Sequence, residues 1–147
     1  MIEVELKCEL FPKLLPKLQE RLQHMTFDGT AHNVDRYYDT PRFDLLQQAV
    51  FVRIRNDHQL EFKFNEQGET AHRQSTERVF SLFPDPNMRE KMNALFTRFL
   101  PHWSASSNVS EAVTKNNLTE LAYINTTREI YIDGAVRESG HLTFLHI

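Results

Sequence analysis

Cysteine is almost absent. Cys8 stands alone in 147 residues, which excludes an intrachain disulfide and a cysteine-based zinc site. Glycine and proline number only 4 and 6, too few for a collagen-like repeat or a low-complexity linker. No apolar run approaches the ~18 residues of a membrane span; Leu121-Ala122-Tyr123-Ile124 is among the longest. The opening Met1-Ile2-Glu3-Val4-Glu5 lacks the basic and apolar stretches of a signal peptide, so the expected location is cytoplasmic, with no membrane partner. The 7 histidines are scattered and form no HxH or HxxxH pair. Net charge is −3, the isoelectric point is about 6.2, and no basic face carries interleaved aromatics, which argues against nucleic-acid binding. What remains, 40% hydrophobic and 25% charged residues, is the composition of one soluble globular domain.

Alternation is the dominant pattern. Ile2, Val4, Leu6 and Cys8 fall on one face of an extended segment, and Glu3, Glu5 and Lys7 on the other. Leu14, Leu18 and Leu22 then predict an amphipathic helix over 13–25, with Pro16 in its first turn and a break at Phe27-Asp28-Gly29-Thr30. A strand starts at Asp35 and ends in a turn at Pro41. Residues 45–49 predict a short helical turn. Val50, Val52 and Ile54 alternate with Phe51, Arg53 and Arg55, and Leu60, Phe62 and Phe64 with Glu61 and Lys63; Asp57-His58 predicts the hairpin between them. A polar loop around Gly68 leads to an extended run at 72–82. Met88, Met92, Leu95, Phe96 and Phe99 predict a second helix over 87–100, stopped by Pro101. Ser110 is the expected cap of a short third helix. Residues 119–132 form one long strand or a pair, and Asp133-Gly134 with Leu142–Leu145 predicts a last hairpin. The fold class is α+β, dominated by antiparallel strands.

The charged strand faces admit two readings. They are solvent faces with weak cross-strand ion pairs, or they line the concave side of a curved sheet. Lys and Arg gathered there would hold a polyanion, and paired carboxylates a hard divalent cation. Periodicity alone does not separate an outer wall from an inner one.

Glu3-Val4-Glu5-Leu6-Lys7 resembles the N-terminal ExExK signature of the CYTH family, the triphosphate tunnel metalloenzymes. Tyr37-Tyr38-Asp39-Thr40-Pro41 resembles the family's YYDTP stretch. Val52-Arg53-Ile54-Arg55 resembles its R-x-R strand, and Leu60-Glu61-Phe62-Lys63 the strand bearing the next lysine. Thr127-Arg128-Glu129-Ile130-Tyr131 resembles the strand with a later arginine, and Arg73 and Glu77 fall near a further basic and acidic pair.

The resemblance implies an antiparallel β-barrel tunnel with outer helices, its charges inward and its aliphatic faces under the helices. It implies a triphosphate ligand, Mg²⁺ or Mn²⁺, and a cradle of Lys7, Arg53, Arg55, Lys63, Arg73 and Arg128. Glu3, Glu5 and Glu77 would hold metal, and Glu3, Glu5 and Lys7 would serve catalysis. The implied activity is hydrolysis of inorganic triphosphate or of an organic one such as thiamine triphosphate. A class IV adenylyl cyclase and a non-catalytic triphosphate-binding module are the alternatives. No second E-x-E follows before Ile147, so residues 1–147 are expected to be a single CYTH-like domain truncated at its C-terminus, its barrel incomplete or completed by a homodimer.

Overall fold

A computed structural model describes residues 2–4, 11–65, 74–132 and 141–146, with backbone alone at 2–4, 74 and 141–146. The loop expected around Gly68 and the turn expected at Asp133-Gly134 lie outside the described residues. The strands are β1 (Ile2–Val4), β2 (Thr26–Asp39), β3 (Phe51–Arg55), β4 (Gln59–Phe64), β5 (Gln74–Ser81), β6 (Thr119–Ile132) and β7 (His141–His146). The helices are α1 (Leu15–Leu22), α2 (Pro86–Phe99) and α3 (Val109–Lys115). Hydrogen bonding orders the strands β1-β5-β4-β3-β2-β6-β7, so among the described residues the sheet is open, an incomplete form of the expected barrel. Every pairing with a described register is antiparallel.

The chain divides into two compact units. The first holds residues 1–5 and 34–124 and is built on one core. Val52 pairs with Phe62, and Ile54 with Leu60, which pairs in turn with Phe80. Period-two alternation therefore puts all these apolar side chains on one face. α2 and α3 cover that face through Met92, Phe96, Val109 and Ala112. Phe62 meets Phe96 edge-on with ring centroids 4.5 Å apart, and Phe96 stacks on Trp103 at 3.9 Å. The Trp103 indole N–H donates to Asn93 Oδ1 at 2.9 Å, which satisfies the one polar atom that stack brings inward.

Local signals set the element ends. Asn56 and Asp57 both adopt left-handed φ (53° and 49°), the geometry that lets a short loop follow the twist of β3 and β4. Asp85 accepts from Met88 N–H and caps α2, and Leu100 ends it in extended geometry before Pro101. The third helix is capped by Asn108, not by Ser110 as the sequence suggested. Asn108 is extended and accepts from Glu111 N–H, leaving Ser110 inside the first turn. Glu111 in return accepts from Ser107 N–H at 2.7 Å, a reciprocal closure of the helix start.

The second unit holds residues 6–33 and 125–147. The expected 13–25 helix is shorter there, a 3-10 turn at Pro12–Leu14 followed by α1, with no buried residue. The segment expected to break it is already strand: β2 begins at Thr26, and Gly29 carries it through at φ 148°, which a side chain would resist. Phe27 packs against Tyr131 at 5.4 Å. Residues 119–132 are one strand rather than two, and β7 returns antiparallel along it.

One buried carboxylate fixes how β2 hands over to β3. Asp39, 1% exposed, accepts from the N–H groups of Thr40, Leu45 and Leu46 at 2.7–2.9 Å. Thr40 Oγ1 donates to Asp44 Oδ2 and accepts from its N–H, so residues 40–49 close into a rigid connection. Asp39→Ala would orphan three N–H groups and should cost about 3 kcal/mol, read as a lower urea midpoint with unchanged slope. The Glu111 carboxyl lies below its ordinary range, because backbone N–H of Ser107 favours the ionised form and Lys115 adds to it. Its contribution is therefore full above the ordinary carboxylate pKa and is lost as pH falls through the lowered native value. Melting of Glu111→Ala should fall below wild type at pH 7 and converge with it in strong acid.

Candidate functional site

The face of β3 turned away from α2 and α3 carries Phe51, Arg53 and Arg55. Its ladder partners share that face. Asp35 and Tyr37 of β2 lie opposite Arg55 and Arg53, and Gln59, Glu61 and Lys63 of β4 lie opposite Arg55, Arg53 and Phe51. On β5, Glu77 lies opposite Lys63. The register thus stacks charges in adjacent rows of the sheet.

Two carboxylates flank the arginines. Asp35 accepts from Arg55 Nε at 2.8 Å and Nη2 at 2.9 Å, a bidentate fork, and from Arg53 Nη1 at 3.2 Å. Glu61 Oε2 accepts from Arg53 Nε at 2.6 Å and also pairs with Nη2, while Oε1 accepts from Gln59 Nε2 and stands 3.5 Å from Arg55 Nη1. Arg53 Nη1 donates to Tyr37 Oη at 3.1 Å, and Nη2 lies 3.5 Å from Glu77 Oε1. The carboxylate side chains are 3–4% exposed and the guanidinium-bearing ones 15–17%. Burial works to lower the Arg53 pKa, but the Tyr37 hydrogen bond and the charges of Glu61 and Asp35 outweigh it and hold the group above its ordinary value. Arg53 stays charged while largely removed from water.

The structure therefore brings Arg53, Arg55, Lys63 and Glu77 of the expected site onto one face of the first unit. Glu3 is described by its backbone, which pairs with Ser75, two residues before Glu77 on β5. Glu5, Lys7 and Arg73 lie outside the described residues. Arg128 belongs to the second unit, where its half-buried side chain has a buried Nε with no hydrogen-bond partner among the described residues. Such an orphaned donor fits an acceptor supplied by a ligand.

Sequence reasoning did not assign Asp35, Tyr37 and Glu61 to the site. Their signal was parity: Asp35-x-Tyr37 on one strand and Glu61-x-Lys63 on another match Arg53-x-Arg55 in period. Only the register turns equal parity into contact, because a one-residue slip sends the set to the opposite face.

Among the described residues, no group of three or more His, Cys, Asp or Glu is arranged around a common cation position. The candidate donors are still of the right kind. Glu77 is partly exposed beside Arg53, and the β1–β5 ladder brings Glu3 next to that strand segment. Carboxylate oxygens are hard donors suited to Mg²⁺ or Mn²⁺.

The comparisons agree with this geometry. The sequence profile of the CYTH domain matches residues 1–141. The PH1819 protein of Pyrococcus horikoshii OT3 is similar in structure, with a TM-score of 0.56 and 21% identity over 97% of this chain and 69% of its own. A candidate adenylate cyclase from Bacillus halodurans gives a TM-score of 0.51 and 20% identity over 99% of this chain and 73% of its own. No individual curated protein is similar beyond chance. At these identities the two structures speak for the fold, whereas the profile spans nearly the whole sequence, and on that ground the chain belongs to the CYTH family, whose tunnel fold binds triphosphate-containing ligands.

Proposed function

We propose that the protein is a metal-dependent triphosphate hydrolase, acting on inorganic triphosphate or on an organic triphosphate such as thiamine triphosphate. The observation that carries this reading is the pair Arg53 and Arg55, paired with carboxylates and largely buried on the sheet face opposite the helices. Guanidinium forks match phosphoryl oxygens, and low solvent exposure strengthens each contact.

Charge arithmetic supports the metal. On that face Arg53, Arg55 and Lys63 are balanced by Asp35, Glu61 and Glu77 among the described residues. A triphosphate brings about four negative charges, which a balanced cluster does not neutralise. Further cations are needed, and Lys7, Arg73 and Arg128 are the candidates on the protein side. Glu3, Glu5 and Glu77 would hold Mg²⁺ or Mn²⁺, which when bound offsets phosphate charge and orients water. The chain's own part is to bind and align. Arg53 and Arg55 fix phosphoryl oxygens and Lys63 adds charge beside them. The Tyr37 hydroxyl accepts from Arg53 and keeps its own proton free to donate to a phosphate oxygen. In-line attack by water on a terminal phosphoryl group needs this alignment more than covalent participation by the protein.

With Mg²⁺ or Mn²⁺, inorganic triphosphate should yield phosphate, and chelation should abolish the yield. Pyrophosphate with cyclic AMP from ATP would instead identify a cyclase, and calorimetric binding without product a non-catalytic module. Arg55→Lys keeps the charge but loses the fork, and should lower kcat/KM on inorganic triphosphate by roughly 10- to 100-fold. Glu5→Gln should abolish turnover while binding persists; unchanged turnover would remove Glu5 from the metal site.

A further inference from the structure

The two arginines do not stand alone on their strand. Each has one edge of its guanidinium already taken. Asp35 occupies the Nε–Nη2 edge of Arg55 at 2.8 and 2.9 Å, and Glu61 occupies the Nε–Nη2 edge of Arg53. Contacts at the opposite ends are longer. Arg55 Nη1 has Glu61 Oε1 at 3.5 Å, and on Arg53, Nη1 meets Tyr37 Oη at 3.1 Å and Asp35 at 3.2 Å while Nη2 faces Glu77 at 3.5 Å. Both forking carboxylates are almost fully buried, whereas the Glu77 side chain is 21% exposed.

This asymmetry separates the carboxylates into two kinds. Glu77 touches a guanidinium loosely from a partly open position, so an incoming anion can replace that contact. Asp35 and Glu61 are wedged from the neighbouring strands on either side of β3, directly opposite Arg55 and Arg53. Glu61 is further fixed by Gln59 Nε2 at 2.6 Å. An arginine on a flexible stem loses rotamer freedom when it is fixed. Here the fixing is done before any ligand arrives.

We propose that Asp35 and Glu61 are positioning residues: Asp35 clamps the Nε–Nη2 edge of Arg55 and Glu61 that of Arg53, and together they hold both guanidinium planes in place for a phosphate. The proposal rests on the triphosphate reading of this face. It makes a counterintuitive demand, because both residues carry the same sign of charge as the ligand. Electrostatics alone requires that deleting either carboxylate tighten binding of a polyanion. Pre-organisation requires that it weaken binding, since the freed guanidinium must be ordered by the ligand itself.

The test is calorimetric binding of inorganic triphosphate with Mn²⁺ to the full chain and to Asp35→Asn, Glu61→Gln, Arg55→Lys and Asp35→Asn/Arg55→Lys. Phe96→Leu, in the helix-covered core, serves as a destabilised control, and circular dichroism at the assay temperature selects folded protein. Each carboxylate variant should bind about tenfold more weakly than wild type, while the control binds normally. The double variant should lose less than the product of the two single losses, because the Arg55 fork, one of the two contacts through which Asp35 acts, is already gone. If a rearranged buried pair prevents one variant from folding, the other carries the measurement. Equal or tighter binding by a folded Asp35→Asn or Glu61→Gln overturns the positioning role and leaves the triphosphate reading standing. Losses that multiply in the double variant overturn it as well. Failure of wild type itself to bind inorganic triphosphate overturns the functional reading, and this proposal with it.

Discussion

Two guanidinium groups held side by side on one strand face repel each other and lose hydration when covered, so that face persists only with matched carboxylates against it. Asp35 and Glu61 supply them from β2 and β4, and the matching works at one register only. Sliding either neighbour by a residue would bury unpaired charge on one side and put polar groups into the aromatic core on the other. The ionic network and the Phe62–Phe96 core therefore constrain the same three strands from opposite faces. Removing one partner of such a pair is costly, of order 3–5 kcal/mol, although the intact pair adds little over an apolar substitute. Its value is specificity of register and orientation of the arginines, not net stability.

The same constraint explains the division of the Tyr37–Pro41 stretch. Tyr37 turns to the charged face and meets Arg53, Tyr38 turns to the apolar face beside the core, and Asp39 and Thr40 tie the connection that follows. A run that looks like one motif thus carries three structural tasks. The rigid connection delivers β3 to its place beside β2, and with it the two arginines. Stability and ligand geometry are linked there through backbone hydrogen bonds to one buried carboxylate.

Much of the first unit was legible in the sequence. The β3–β4 hairpin and the α2 helix stopped by Pro101 carry local signals strong enough to stand without context, alternation in one and helical spacing ended by proline in the other, whereas 119–132 read equally as one strand or a pair. The misreadings share a cause. Asn108 and Ser110 are both good caps, and the choice fell to Asn108 because Ser107 N–H could reach Glu111. Phe27-Asp28-Gly29-Thr30 resembles a turn by composition, yet Gly29 takes a positive φ that a side chain would resist and the segment becomes strand. In both cases competing local preferences are nearly equal, and hydrogen bonding elsewhere decides.

For the site, the sequence by itself determined which residues carry charge, at what period, and that Arg53, Arg55 and Lys63 follow the CYTH order. It left open whether the charged face was an outer wall or a ligand surface, because alternation has the same period in either case. Tertiary structure packed α2 and α3 against Val52, Leu60 and Phe62, which leaves the arginines on the other side, where their side chains are only 15–17% exposed. It also decided that Asp35 and Glu61 belong with them. Cross-strand contact depends on register, and register is fixed by the whole sheet and its core rather than by any one strand.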